Sequence, residues 1–344
     1  MTTSQTQTGQ GSSARRVAPT SRGDLVVGVV PRGLGVGRSA RHPTAIPWRG
    51  WWAVLRRVAR EARNDRISLI AAGCAFYATL SLFPAITMLI SIYGLVFAPR
   101  GVAAQLHLIQ GLLPPAAFQL IAGRIQMLVT RPAQTLSFGL AFGVLLGFWS
   151  ASTGTRSMLW ALNVAYEERE KRGYLRFNAV ALAITLIGIL GTVLALALLL
   201  ALPPAIRFLG LAGAAGGVIR ALSLFVLVLF ILVGLSLLYR FGPSRRPAGW
   251  HWVTPGAVVG TLLWLLASVL FSIYVGRFAS YDATYGPIGA AVAVMGWFYV
   301  SALAVLLGAE LNAELELQTA EDTTAGAARP IGERGAFVAD HVAG

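Results

Sequence analysis

Three stretches of this chain, residues 67–99, 177–206 and 283–309, contain no Asp, Glu, Lys or Arg. A helix rises 1.5 Å per residue, so about 20 apolar residues cross a hydrocarbon core about 30 Å thick. Uncharged runs of this length leave no polar face for a soluble helix, and they read as membrane spans. The whole chain agrees: its 344 residues are 56% hydrophobic and 12% charged, where soluble domains are about a quarter charged. The net charge of +14 would by itself suggest a nucleic-acid surface. Its distribution argues for lipid instead. Residues 1–67 hold twelve Arg against Asp24, Glu61 and Asp65, so +9 of the excess precedes or borders the first span.

The pattern predicts an all-α, polytopic integral membrane protein with six transmembrane helices, at about 69–95, 136–160, 178–203, 219–239, 255–276 and 287–311. Pro84 predicts a kink in the first. Residues 101–130 are moderately apolar but broken by Pro114-Pro115, which fits two short outer helices better than a seventh span. Residues 1–50 are rich in Ser, Thr, Gly, Pro and Arg and are expected to form a disordered basic tail. Residues 51–66 alternate Trp51, Trp52, Val54, Leu55 and Val58 with Arg56, Arg57, Arg60 and Arg63, the pattern of an amphipathic interfacial helix. The membrane domain then covers 67–316, and 317–344 is expected to be a mobile tail. With the N-terminus inside, inner flanks carry twelve Arg and Lys and outer segments six, so both termini are predicted to be cytoplasmic.

Polar residues within or beside the spans are the candidates for function. Arg156 follows a charge-free stretch and stands among Ser150, Ser152, Thr153 and Thr155. It suits either an anion contact in a crevice or a side chain reaching to headgroups. Asn163 lies seven residues on, on nearly the same helical face. Glu310, Asn312, Glu314 and Glu316 close the sixth span; Glu310 and Glu314 share a face, which suits either pairing with Arg or Lys of a neighbouring helix at the inner interface or a carboxylate site. Asp282 is expected at the outer mouth or in the turn before that span, and Tyr77 and Tyr274 need hydroxyl partners or a wet cavity. Cys74 is expected to be a small packing residue, and the single Cys and four scattered His exclude a Cys-based or HExxH zinc site. No catalytic, metal or cofactor constellation is predicted. The strings VVGVVPRGLGVG and LGLAGAAGG lack the Lys and the strand-turn-helix setting of a nucleotide site.

Several segments together resemble the YihY/BrkB family of inner-membrane proteins. They are AAGCAFYATLSLFPAI at 71–86 after Asp65, SASTGTRSMLWALNVAYEERE at 150–170, and Tyr239-Arg240 with Pro243. Pro255-Gly256-Ala257 with Trp264, Phe271 and Tyr274 follows, and the closing run is FASYDATYGPIGAAVAVMGWFYVSALAVLLGAELNAELE at 278–316. The resemblance implies a six-helix protein of the bacterial inner membrane. Some members carry the label ribonuclease BN, and others are linked to complement resistance or lipid export. The expected function is a permease or exporter of a lipid, amphiphile or anionic small molecule, with a crevice near Arg156, Asn163 and Glu310. The alternatives are a non-transporting scaffold or envelope-assembly factor, and a membrane-associated ribonuclease. Membrane lipids, with anionic headgroups at the cytoplasmic face, are the expected partners, and nucleic acid is not.

Overall fold

The computed structural model describes the backbone of residues 25–26, 36–96, 137–208, 215–277 and 282–343, and side chains chiefly over 36–82, 147–195, 221–274 and 291–343. The segment 101–130, expected as outer helices, lies outside the described residues.

Helix α1 (Trp48–Asn64) sets Trp51, Val54, Val58 and Ala62 against the core and leaves Arg56, Arg60 and Arg63 exposed. That spacing of three and four is what puts one face of a helix inward. Arg66, with φ 52°, turns the chain out of α1. Among the described residues, six long helices follow at the positions read from the sequence: α2 (Ile67–Val96), α3 (Ser137–Ala165), α4 (Tyr174–Phe208), α5 (Ala215–Phe241), α6 (Trp250–Arg277) and α7 (Asp282–Gln318). Helix α2 continues through Pro84. Among the described residues, four segments are long and apolar enough to cross a membrane: Tyr174–Ala195, Ala221–Phe241, Trp250–Tyr274 and Ala291–Gln318. The described apolar part of α2, Ile67–Leu82, is shorter.

Helix α7 is the axis of the bundle. It packs along α6 and α2 and also touches α1 and α3. Its approach to α6 depends on two glycines, since a Cβ on Gly308 would meet the Gly256 carbonyl oxygen at 2.6 Å and crowd the Tyr239 hydroxyl. Small residues let helix backbones come close where lipid gives no hydrophobic drive for association.

The tail regions differ from expectation. Residues 36–47 and 319–343 are folded against each other and against the ends of the helices, rather than forming loose tails. The Arg38 carbonyl accepts from the Ala320 N–H at 2.8 Å, and Thr319 donates to the Ala40 carbonyl at 2.7 Å. A two-residue strand, β1 (Leu25–Val26), pairs antiparallel with β2 (Val342–Ala343). Just before β2 in the chain, α8 (Phe337–Asp340) buries Val338 and Ala339. Arg334 makes this packing feasible, because its guanidinium donates to the carbonyls of Ala320, Glu321, Arg329 and Ala339. Carbonyls enclosed without donors would oppose burial. Residues 1–24 and 27–35 of the expected N-terminal tail lie outside the described residues.

Candidate functional site

Helices α3, α5 and α7 end on the same side of the bundle, and the buried polar side chains gather there. Past α3, Glu167 takes φ 54°, and the Glu168 N–H returns to the Asn163 carbonyl at 2.7 Å. This left-handed helix ending folds the following carboxylates back onto the bundle. The Asn163 amide donates to Glu170 at 2.8 Å, while its oxygen accepts the Ser244 N–H at 2.7 Å. Arg172 grips Glu170 with two bonds, at 2.7 and 2.8 Å. Burial alone would raise the Glu170 carboxyl. Bonds from the Arg172 side chain and N–H and from Asn163 outweigh it and hold the group down, from an ordinary 4.5 to about 2.

The end of α7 contributes the second half. Glu314 accepts from Arg57 of α1 at 2.6 Å, and the same guanidinium reaches Gln318 at 2.6 Å. Glu316 is held by Arg245, from the α5–α6 connection, through bonds of 2.7 and 3.0 Å. Both of these side chains are 0% exposed. The Thr323 hydroxyl donates to Glu316 at 2.7 Å, so the packed C-terminal segment takes part in the cluster. Arg245 also lies 4.3 Å over the ring of Tyr166. Burial pushes the Tyr166 phenol well up, the opposing pull of Arg245 being weaker, so Tyr166 keeps its proton at any physiological pH. Glu310 is fully buried and acts electrostatically on that phenol. Asn312 ties α7 to α6, accepting the Gly256 N–H at 2.7 Å and donating to the Val253 carbonyl at 3.1 Å. Tyr239 donates to the Val305 carbonyl at 2.7 Å.

The sequence-derived candidates therefore divide. Asn163, Glu310 and Asn312 lie in this cluster, whereas Arg156 does not. Arg156 bonds Asn178 of α4 at 3.0 Å and Thr153 at 2.8 Å, and stacks 4.7 Å over Trp149. Arg156 is held toward α4, two turns up the helix from Asn163. Tyr77 is 44% exposed and edge-stacked on Phe76, and Tyr274 is 57% exposed beside Phe271. Asp282 opens α7, and its side chain lies outside the described residues. The residues that complete the cluster, Arg57, Tyr166 and Arg245, were legible only as flanking charges and an aromatic. The surplus of carboxylates at 310–316 was the one sign that such partners must exist. Among the described residues no three His, Cys, Asp or Glu side chains are placed to hold a metal ion.

An open groove of about 530 Å³ runs between α3 and α4 with Leu238 of α5 at its edge. Gly154, Thr155, Thr185, Gly188 and Thr192 line it, and the Thr155 and Thr185 hydroxyls are hydrogen-bonded at 2.7 Å. Each threonine of α4 satisfies its own donor on the helix, Thr185 to the Ala181 carbonyl and Thr192 to Gly188. The wall is therefore compatible with an apolar occupant.

Residues 58–332 match the family described as virulence factor BrkB. The chain belongs to the BrkB family. The match runs from within α1 to beyond α7, so it covers Asn163, Tyr166, Arg245, Glu316 and Thr323, and stops one residue short of Arg57. A ribonuclease-like protein, YfkH, of Bacillus subtilis is 32% identical over 71% of this chain and 88% of its own length. A UPF0761 membrane protein of Pseudoalteromonas translucida is 25% identical over 80% of this chain and 88% of its own. Another from Vibrio parahaemolyticus is 27% identical over 76% and 82%. No solved structure matches. This BrkB-family chain is a membrane protein with several apolar helices.

Proposed function

We propose that this BrkB-family protein is a permease or exporter that handles a lipid, amphiphile or anionic small molecule in the bacterial inner membrane. In this reading α2 to α7 are six spans, both termini are cytoplasmic, and no bond is made or broken. The observation that carries it is the groove of about 530 Å³ between α3 and α4. It lies against an α4 segment that is apolar enough to span and mostly unburied. A bundle that served only as a scaffold would gain by closing helix on helix at such small residues. Arg156 follows Thr155 of the groove wall in the chain and is the nearest cation in sequence to that wall on α3.

The test is flux. Purified protein in liposomes should move a fluorescent anionic lipid or amphiphile between leaflets, and Arg156→Ala should slow that movement about ten-fold with unchanged melting. Absence of flux across a panel of anionic and zwitterionic lipids would sink this reading.

A scaffold role is favoured by a different observation, the closed polar cluster around Arg245 and Glu316, whose groups are engaged with one another. A protein that fails to move any lipid yet pulls down a defined envelope assembly would support it. RNA cleavage is argued by the name of YfkH and by the ribonuclease BN label of some family members, and purified protein incubated with RNA and divalent metal should leave it intact.

A further inference from the structure

The α4–α5 seam has a second opening, of about 400 Å³, at the end where α4 starts and α5 stops. Its lining includes Lys171, Arg172, Arg176, Arg240, Arg245 and Arg246, and no carboxylate. Three of these cations are neutralised nearby: Lys171 by Glu168, Arg172 by Glu170, and Arg245 by Glu316. Arg176, Arg240 and Arg246 have no ion-pair partner among the described residues, which leaves a surplus of three positive charges around one cavity. Donors are also left over. The Nε of Arg240, the Nε of the fully buried Arg245 and one terminal nitrogen of Arg246 are buried without a hydrogen-bond partner among the described residues. All three side chains belong to residues lining the cavity, and its cationic, carboxylate-free lining suits a ligand rich in acceptor oxygens.

The location narrows the ligand. Lys171, Arg172, Arg245 and Arg246 lie just beyond the apolar segments Tyr174–Ala195 and Ala221–Phe241, which in the proposed membrane setting is the depth of lipid headgroups. Trp250, stacked on Arg240 at 4.3 Å and half exposed, marks the same level, where indoles are favoured. The basic cavity and the apolar groove share one helix face. Arg176 and Val180 border the cavity, Ile184 and Gly188 the groove, each four residues from the last. Residues at that interval are neighbours on a helix and rise about 6 Å per step. Val180, Ile184 and Leu238 pack on one cluster, Leu159, Phe177 and Ala181, so the floor is continuous from one opening to the other.

We propose that this cavity binds the phosphoryl group of an anionic membrane lipid, with an acyl chain lying in the α3–α4 groove. Basic pockets between membrane helices suit such headgroups. A guanidinium fork matches two phosphoryl oxygens at once. A headgroup that carries its own ammonium would meet surplus cations and no carboxylate, so phosphatidylglycerol and phosphatidic acid are preferred over phosphatidylcholine. The proposal rests on the amphiphile reading for its membrane setting and adds the ligand class and the head site.

Binding can be measured without flux. The full chain in phosphatidylcholine nanodiscs is titrated with spin-labelled phosphatidylglycerol or spin-labelled phosphatidylcholine, and the motionally restricted fraction is read by electron spin resonance. Phosphatidylglycerol should be selected several-fold. Arg176→Gln and Arg246→Gln should each reduce that selection about five-fold, and Arg176→Lys should largely keep it. Arg63→Gln, an exposed charge removed elsewhere, should leave it unchanged. Arg176 is exposed and makes no bond among the described residues, so its variant tests the site without threatening the fold; melting curves verify the others. Equal restriction of the two lipids, or selection indifferent to Arg176 and Arg246, would overturn the proposal. Displacement of the labelled lipid by millimolar inorganic phosphate would assign the cavity to a soluble phosphate and overturn the lipid assignment. Selective binding without flux would leave this site standing and remove the transport reading, whereas flux with no headgroup selection would do the reverse.

Discussion

At the scale of single residues, the cluster is a set of desolvated charges that depend on one another. Arg245 and Glu316 are both withdrawn from solvent, and neither can lose its partner without leaving a charge stranded. Removing one member of a buried pair costs about 3–5 kcal/mol. Glu316→Gln should therefore lower the melting temperature in detergent, and Arg57→Gln should do so as well, since the Glu314 carboxylate it would leave behind is only 1% exposed. Glu170 has a different signature, one of pH. Its carboxyl ionises near 2 in the folded chain and near 4.5 in the unfolded one. Its contribution is thus fully present above about 4.5 and is lost as pH falls toward 2. Melting temperature should fall across that window, and Glu170→Gln should flatten the slope there while costing stability at neutral pH. The need of Glu314 and Glu316 for cations was legible in the sequence. Which cations was not, because Arg57 is 257 positions from Glu314 and Arg245 is 71 from Glu316.

At the scale of helices, the same residue type has opposite meanings in different surroundings. Gly308 and Gly73 are both helical glycines in apolar runs. A Cβ at Gly308 would press on α6 backbone and on Tyr239, whereas one at Gly73 would meet nothing within 4 Å. Gly308→Val should destabilise by at least about 1–3 kcal/mol, the usual cost of overpacking. Gly73→Ala should be neutral or stabilising by up to about 1 kcal/mol, since glycine is the poorer helix former. Thermal unfolding of both variants in one detergent would check the contrast. Gly308 marks a close helix contact. The identity of the facing element, α6 at Gly256, could only come from three dimensions.

At the scale of the molecule, the end that gathers α1, the helix termini and the packed C-terminal segment is one polar structure. Thr323 donates to Glu316, the Phe337 N–H donates to Glu168 at 2.6 Å, and Arg334 fastens the segment internally. A chain stopped after Gln318 should still insert in the membrane but melt lower, and limited proteolysis should then cut at the exposed helix ends. Retention of full stability by that truncation would show the segment to be dispensable. The sequence by itself determined where the long helices lie, because a run of 20 or more uncharged residues has one good solution in hydrocarbon: a helix with its backbone bonds made internally. It did not determine how the terminal regions fold. Their polar composition matches both a solvated tail and a segment whose Arg334 and threonines happen to meet the carbonyls left at the helix ends. Only the tertiary structure decided between these, and only it split Arg156 from Asn163 and Glu310, because pairing among distant charges depends on which helix ends meet.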